Sequence, residues 1–219
     1  MKTKILMTGF VTHDVKRFII SKPKNYRFIP GQATEVSISK ENLKDKKRPF
    51  TFTSLDEDLV LELTIKEYLG HEGITREFDL LKSGDELIIG KPFGAISYKG
   101  KGVFIAGGTG VTPFIAIFRQ LKKDGRLKEN KLIFSNKTNK DIIYEKELKE
   151  ILKENLILTL TREKNKNYEN RRINKEFLKE YIKNFNQYFY ICGPKNFVKD
   201  INNILKEIGV KPNLIIFEK

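Results

Sequence analysis

Among 219 residues there is one cysteine, two histidines and no tryptophan. A lone Cys192 excludes an intramolecular disulfide framework, and it excludes any iron–sulfur cluster that needs four thiolates from this chain. His13 and His71 lie far apart without ligand spacing, so no metal site is expected. Long apolar runs are missing too. The longest, at 102–107 and 111–118, fall well short of the roughly 20 residues a bilayer-crossing helix needs. Met1-Lys-Thr-Lys leads into alternating residues rather than a signal-peptide core. These absences predict a soluble cytoplasmic protein.

What the chain does have is enough apolar material for two cores: 39% hydrophobic residues, with 16 Phe and 8 Tyr. It also has a large excess of base, 42 Lys and Arg against 28 Asp and Glu, for a net +14. The excess is uneven. Residues 1–99 carry 17 basic against 14 acidic side chains, whereas residues 100–219 carry 25 against 14. A one-sided positive field favours an acidic partner, although lysines spread over a solvated surface would give the same count. A basic nucleic-acid-binding module is the non-enzyme alternative, but clustered arginines and a zinc pattern are missing, and nucleic acid is not expected as a partner.

The pattern along the chain divides near residue 98. Residues 1–98 contain short alternating runs, KILMTGFVTH, KRFIISKP, ATEVSISK, PFTFTSL, LVLELTIKEY and DELIIGKPFG, broken by turn residues, which predicts an antiparallel sandwich or a barrel of the Greek-key kind. Within it, EGITREFDLL places apolar residues at 74, 78 and 81 and predicts one short helix. Residues 99–219 switch to buried strands alternating with helical segments, from GVFIAGG to LIIFEK. Five strands and four helices of that kind predict a doubly wound parallel sheet. NKNYENRR at 165–172 reads as a polar loop.

Three stretches carry candidate chemistry. VFIAGGTGVTP ends a buried strand in Gly107, Gly108, Thr109 and Gly110, a turn that lets bare backbone approach a ligand. Pro113 then suits the first turn of a helix whose amides, with the hydroxyls of Thr109 and Thr112, would face a phosphate. An ordinary tight turn is the plain alternative. RPFTFTS at 48–54 sets an arginine beside a strand of alternating aromatic and hydroxyl side chains: a fork for phosphate, a face for a flat ring, or simply a half-buried strand. YFYICGP at 188–194 ends a strand in Cys192, Gly193 and Pro194 at the rim where open sheets bind ligands, though buried cysteine is common in its own right.

Taken in order, RPFT, GGTGVTP and CGP resemble the ferredoxin-NADP reductase family over essentially the whole chain: a flavin-binding barrel, residues 1–98, followed by an NAD(P)-binding domain, residues 99–219, without an iron–sulfur domain. The resemblance implies that Arg48 and Pro49 lie along the flavin, with Arg48 on its phosphate. Phe50 would stack on the ring where the family usually has tyrosine, and Thr51 would approach its reactive edge. Gly73, Ile74 and Thr75 would bind the flavin pyrophosphate. Gly107 to Thr112, with Pro113 behind them, would hold the nicotinamide dinucleotide, and Cys192, Gly193 and Pro194 would border its nicotinamide. Glu218 matches a carboxylate that relatives place near hydride transfer.

The implied reaction is hydride transfer from NADH or NADPH to bound FAD, with FMN the lesser expectation, and then electron release to an acidic carrier such as flavodoxin or ferredoxin. Thr161-Arg162 with Lys166 and Tyr168 is similar to the elements that hold a 2′-phosphate in NADPH-using relatives. FSNKTNKDIIYEKEL, with Asp141 as ribose contact or helix cap, is more like the NADH-using branch. An electron-transfer subunit of a larger flavoenzyme and a free-flavin or ferric reductase stay open as alternatives. A monomer or weak dimer is expected.

Overall fold

The computed structural model describes residues 1–67, 74–94 and 96–217, except for the side chains of Ile74 and Thr75. The first unit has strands β1 (Lys2–Thr12), β2 (Val15–Ser21), β3 (Ala33–Ile38), β4 (Arg48–Thr51) and β5 (Val60–Lys66), then helix α1 (Ile74–Asp79) and strand β6 (Glu86–Ile89). They form one antiparallel sheet in the order β4-β3-β6-β1-β2-β5. The sheet curls until its edges meet. The meeting is slight, an isolated bridge between Phe52 and Leu63 and a bond from the Thr53 N–H to the Glu62 carbonyl, so the barrel is not closed by a continuous ladder.

Period-two patterning explains the barrel core. Leu61, Leu63 and Ile65 of β5 point inward to join Phe18, Ile20, Phe52 and Phe78, all buried. Their neighbours Glu62 and Thr64 point to the other face and are buried as well. That polar face is covered by the second unit, which is why β5 alternates in chemistry but not in exposure.

The second unit runs β7 (Gly102–Gly107), α2 (Thr112–Lys123), β8 (Lys131–Asn136), α3 (Glu145–Leu152), β9 (Leu156–Leu160), α4 (Lys175–Tyr181), β10 (Tyr188–Cys192), α5 (Lys195–Ile208) and β11 (Ile215–Phe217). All its strand pairs are parallel, in the order β11-β10-β7-β8-β9. Each face has its own core. Phe104, Phe114, Phe118, Phe134 and Tyr190 fill one, with Val15 from the barrel and Ile96 from the connection added to it, and Ile105, Ile133, Phe189 and Leu205 fill the other. After β7 the chain moves outward to β8 and β9, then crosses back to lay β10 on the opposite side of β7. That reversal opens a crevice at the carboxyl ends of β7 and β10.

One reading of the sequence needs correction. Residues 165–172 are not merely a polar loop: Glu169 bridges to Thr159 of the edge strand β9 and exchanges backbone bonds with Leu158 and Leu160 at 3.0 and 2.8 Å. The Thr159 hydroxyl also donates to the Arg171 carbonyl. The segment is therefore stitched to the sheet, which aims the residues after it. Among the described residues no helix is long and apolar enough to cross a membrane.

Candidate functional site

At the crevice the glycines do different jobs. Gly108 takes φ +54°, a left-handed conformation that glycine adopts without strain, and starts a 3-10 turn over Gly108–Val111 that leads straight into α2. Gly110 is packed against the neighbouring strand end: a Cβ built there would lie 2.2 Å from the Cys192 carbonyl oxygen and 2.5 Å from the Gly193 nitrogen. Pro113 occupies the first turn of α2. The Thr112 hydroxyl donates to the Thr109 carbonyl at 3.0 Å, so it ties the turn together instead of reaching outward. Gly110, Thr112 and Pro113 are buried and shape the turn from behind.

In front of the turn lies a cleft of about 370 Å³. It brings together Gly107, Gly108 and Thr109 from the glycine turn, Arg162 from the end of β9 and Pro194 from the end of β10. Cys192 and Gly193 are not part of its wall; they back the glycine turn. Lys66, ion-paired to Asp14, borders the cleft as well.

The sequence reading missed the cleft's most telling members. Asn136 ends β8 and is only 5% exposed, yet neither end of its side-chain amide has a hydrogen-bond partner among the described residues. A buried amide in that state, lining a cleft, presents both a donor and an acceptor for an incoming ligand. Lys137 and Arg172 line the same cleft, and with Arg162 they form a basic rim, none of the three in an ion pair among the described residues. Arg172 arrives there because the Glu169 bridge turns the chain beside β9.

Lys166 and Tyr168, grouped with Arg162 on sequence, are separated from it and line another hollow. The Tyr168 hydroxyl donates to Glu145 at 2.7 Å, and that bond, with burial and the Glu145 charge, pushes the phenol up to about 12. Asp141 caps a short turn: its carboxylate accepts from the Thr138 N–H at 2.8 Å and the Thr138 hydroxyl at 2.7 Å, although the residue also borders the cleft.

On the barrel, β4 presents Arg48 and Pro49 exposed and Phe50 and Thr51 half-buried. One guanidinium nitrogen of Arg48 donates to the Lys47 carbonyl at 2.8 Å, leaving most of the fork's donors for another acceptor. Phe50 packs edge-on against Phe78, with ring centroids 5.3 Å apart, while Phe52 is wholly inside. Of the expected pyrophosphate residues, Gly73 lies outside the described residues, and Ile74 and Thr75 are described only as the start of α1. Glu218 also lies outside them. Near α1 lies a group that the sequence did not suggest. Glu67 is 4% exposed, and burial, then the nearby Asp79 charge, raises its carboxyl to about 7.

A parallel sheet whose switch point carries a glycine turn, a buried amide unpartnered among the described residues and a basic rim has the chemistry to receive a dinucleotide. Residues 104–203 match the oxidoreductase NAD-binding domain family. The reductase component of the naphthalene 1,2-dioxygenase system of Pseudomonas putida is 24% identical over 98% of this chain and 67% of its own length. Human NADH-cytochrome b5 reductase 1 is 31% identical over 68% of this chain, which spans 59% of that relative. Two solved structures share the whole fold: a ferredoxin NADP+ reductase from Neisseria gonorrhoeae with bound FAD and NADP, and the FAD/NAD binding domain of a nitric oxide dioxygenase from Vibrio cholerae. The first has a TM-score of 0.86 at 21% identity, covering 100% of this chain and 97% of its own. The second has a TM-score of 0.87 at 18% identity, covering 99% and 97%. Residues 104–203 are thus similar to an oxidoreductase NAD-binding domain, and the whole chain has the two-unit fold of the ferredoxin-NADP reductase-like flavoproteins.

Proposed function

We propose that this chain takes a hydride from NADH or NADPH onto a bound FAD and passes the electrons to an acidic carrier of the flavodoxin or ferredoxin kind. The observation that carries the reading is the cleft at the β7–β10 switch point. A glycine turn there brings backbone without side chains to the cleft, and the Asn136 amide beside it is buried without a partner among the described residues. Backbone amides at a helix start suit a pyrophosphate. Asn136, Lys137, Arg162 and Arg172 fit the ribose end, and the three cations favour a 2′-phosphate, hence NADPH over NADH. Cys192, Gly193 and Pro194 border the nicotinamide from the adjoining strand end.

On the barrel, Arg48 binds the flavin phosphate, Phe50 lies against the ring and Thr51 approaches its reactive edge, with Gly73 to Thr75 on the pyrophosphate and Glu218 near the hydride path. The bound flavin supplies the ability to accept two electrons together and release them singly. The protein's part is to align and to shield: β4 and the ends of β7 and β10 set the approach of two flat rings, a positioning task that needs no Ser–His dyad. The net charge of +14 supports an acidic acceptor, because complementary fields hasten encounter. A cytoplasmic site of action accords with a single cysteine.

Reconstitution tests the reading. Mixed with excess FAD and desalted, the protein should retain about one yellow flavin per chain, and Arg48→Ala should retain much less. A chain that keeps no flavin contradicts the reading.

A further inference from the structure

One side chain ties together the two elements to which the function has been assigned. Arg119 lies seven residues after Thr112 on α2, about 10 Å along the helix from the glycine turn. Its Nη1 donates to the Thr53 carbonyl at 2.6 Å and to Glu62 Oε1 at 2.7 Å, both in the barrel. Thr53 is two residues past Thr51 at the end of β4. The other edge of the guanidinium grips Glu147 of α3 in a fork, Nε to Oε1 at 2.7 Å and Nη2 to Oε2 at 2.9 Å.

Further contacts surround this centre. Glu62 Oε1 also accepts from the Thr53 hydroxyl at 2.7 Å and the Tyr144 hydroxyl at 3.2 Å, and the Tyr144 hydroxyl meets Thr64 at 3.1 Å. The Tyr144 ring lies 5.3 Å from the guanidinium carbon. Its backbone takes φ +53°, a left-handed conformation costly for tyrosine, so the network holds it there against strain. Glu62 is 7% exposed. Burial works against the charge on Arg119, yet the bonds from Glu147 and the charge of Glu62 hold its pKa above the ordinary value.

A buried ion pair is a poor way to gain stability, because an apolar pair of similar volume does as well. What the fork adds is direction: bonds to two carboxylates and a carbonyl fix one relative placement of barrel and sheet. We propose that Arg119, with Glu62 and Glu147, is the positioning residue that sets the alignment of the flavin strand with the dinucleotide cleft. The inference rests on the proposed function, because alignment matters only if a hydride crosses between the two units.

The test is anaerobic reduction of the FAD-loaded protein by NADPH and NADH in a rapid-mixing instrument, with Arg119→Met and Arg119→Lys beside the unmodified chain. A displacement of about 1 Å costs up to about a hundredfold in rate, so Arg119→Met should lose a factor of that order in the limiting rate of flavin reduction. The dissociation constants for FAD and dinucleotide should stay unchanged. Arg119→Lys, which keeps the charge but not the fork, should lose less, and it decides the matter if the methionine variant does not fold. In the ligand-free protein, hydrogen exchange should quicken at Glu62–Thr64 and at the start of α3.

Equal limiting rates, or a loss confined to dinucleotide affinity, would overturn the positioning role while leaving the proposed function standing. An unmodified protein that neither dinucleotide reduces would overturn both.

Discussion

The backbone of Gly110 rests on the backbone of Cys192: a Cβ at the glycine would lie 2.2 Å from the cysteine carbonyl oxygen. Neither partner is a flexible side chain, so the contact cannot be relieved cheaply. Gly110→Ala should destabilise the protein by about 3 kcal/mol and weaken dinucleotide binding, because the glycine turn must shift. Gly108→Ala meets nothing within 4 Å among the described residues and suffers only its left-handed backbone, a cost of roughly 1–2 kcal/mol. Thermal denaturation of the two variants checks the order.

The basic rim makes a prediction about cofactor choice. Removing Arg172 takes away a charge-assisted bond worth about 1.5–3 kcal/mol, which corresponds to roughly 10- to 100-fold in affinity. Arg172→Ala should raise the KM for NADPH by that factor and leave the KM for NADH nearly unchanged. Equal effects on both would place Arg172 away from the 2′ position.

Much of the fold could be read in the sequence because each unit obeys one period. β2 and β5 alternate, while β7 and β10 read as continuous apolar runs, and α2 follows its glycine turn as Pro113 led one to expect. The site was legible only where a motif was local. Arg172 could not be foreseen, since it reaches the cleft through the Glu169 bridge, a long-range backbone contact with no short-range mark. Asn136 is an ordinary residue at a strand end, and only its lack of a partner makes it notable. The Arg119 network was hidden for a similar reason. Glu62 and Thr64 look like the wet face of a half-exposed strand until a second unit is laid over them.

Glu67 gives a pH dependence. Its carboxyl is raised by burial, then by Asp79, to about 7 in the folded protein against 4.5 ordinarily, with Lys16 opposing and Asp14 adding to the rise. Between those values the folded state holds a proton that the unfolded chain releases. The contribution is therefore whole below 4.5, declines as pH rises to about 7, and stays lost above it. Glu67→Gln should raise stability at pH 8 by about 1–3 kcal/mol and change it little near pH 4. Urea titrations at the two pH values check this.

The net charge bears on the partner. With +14 overall and most of the excess after residue 99, reduction of an acidic carrier should slow steeply as salt shortens the reach of the field. Reduction of a small neutral acceptor should not. A flat salt profile with flavodoxin or ferredoxin would argue against electrostatic steering.

The most direct test of the central claim is an anaerobic titration of the FAD-loaded protein with NADPH, followed by the visible absorbance of the flavin. The account predicts stoichiometric bleaching, with colour returning when an electron acceptor is added. A flavin that binds yet keeps its full absorbance with both NADPH and NADH would contradict it.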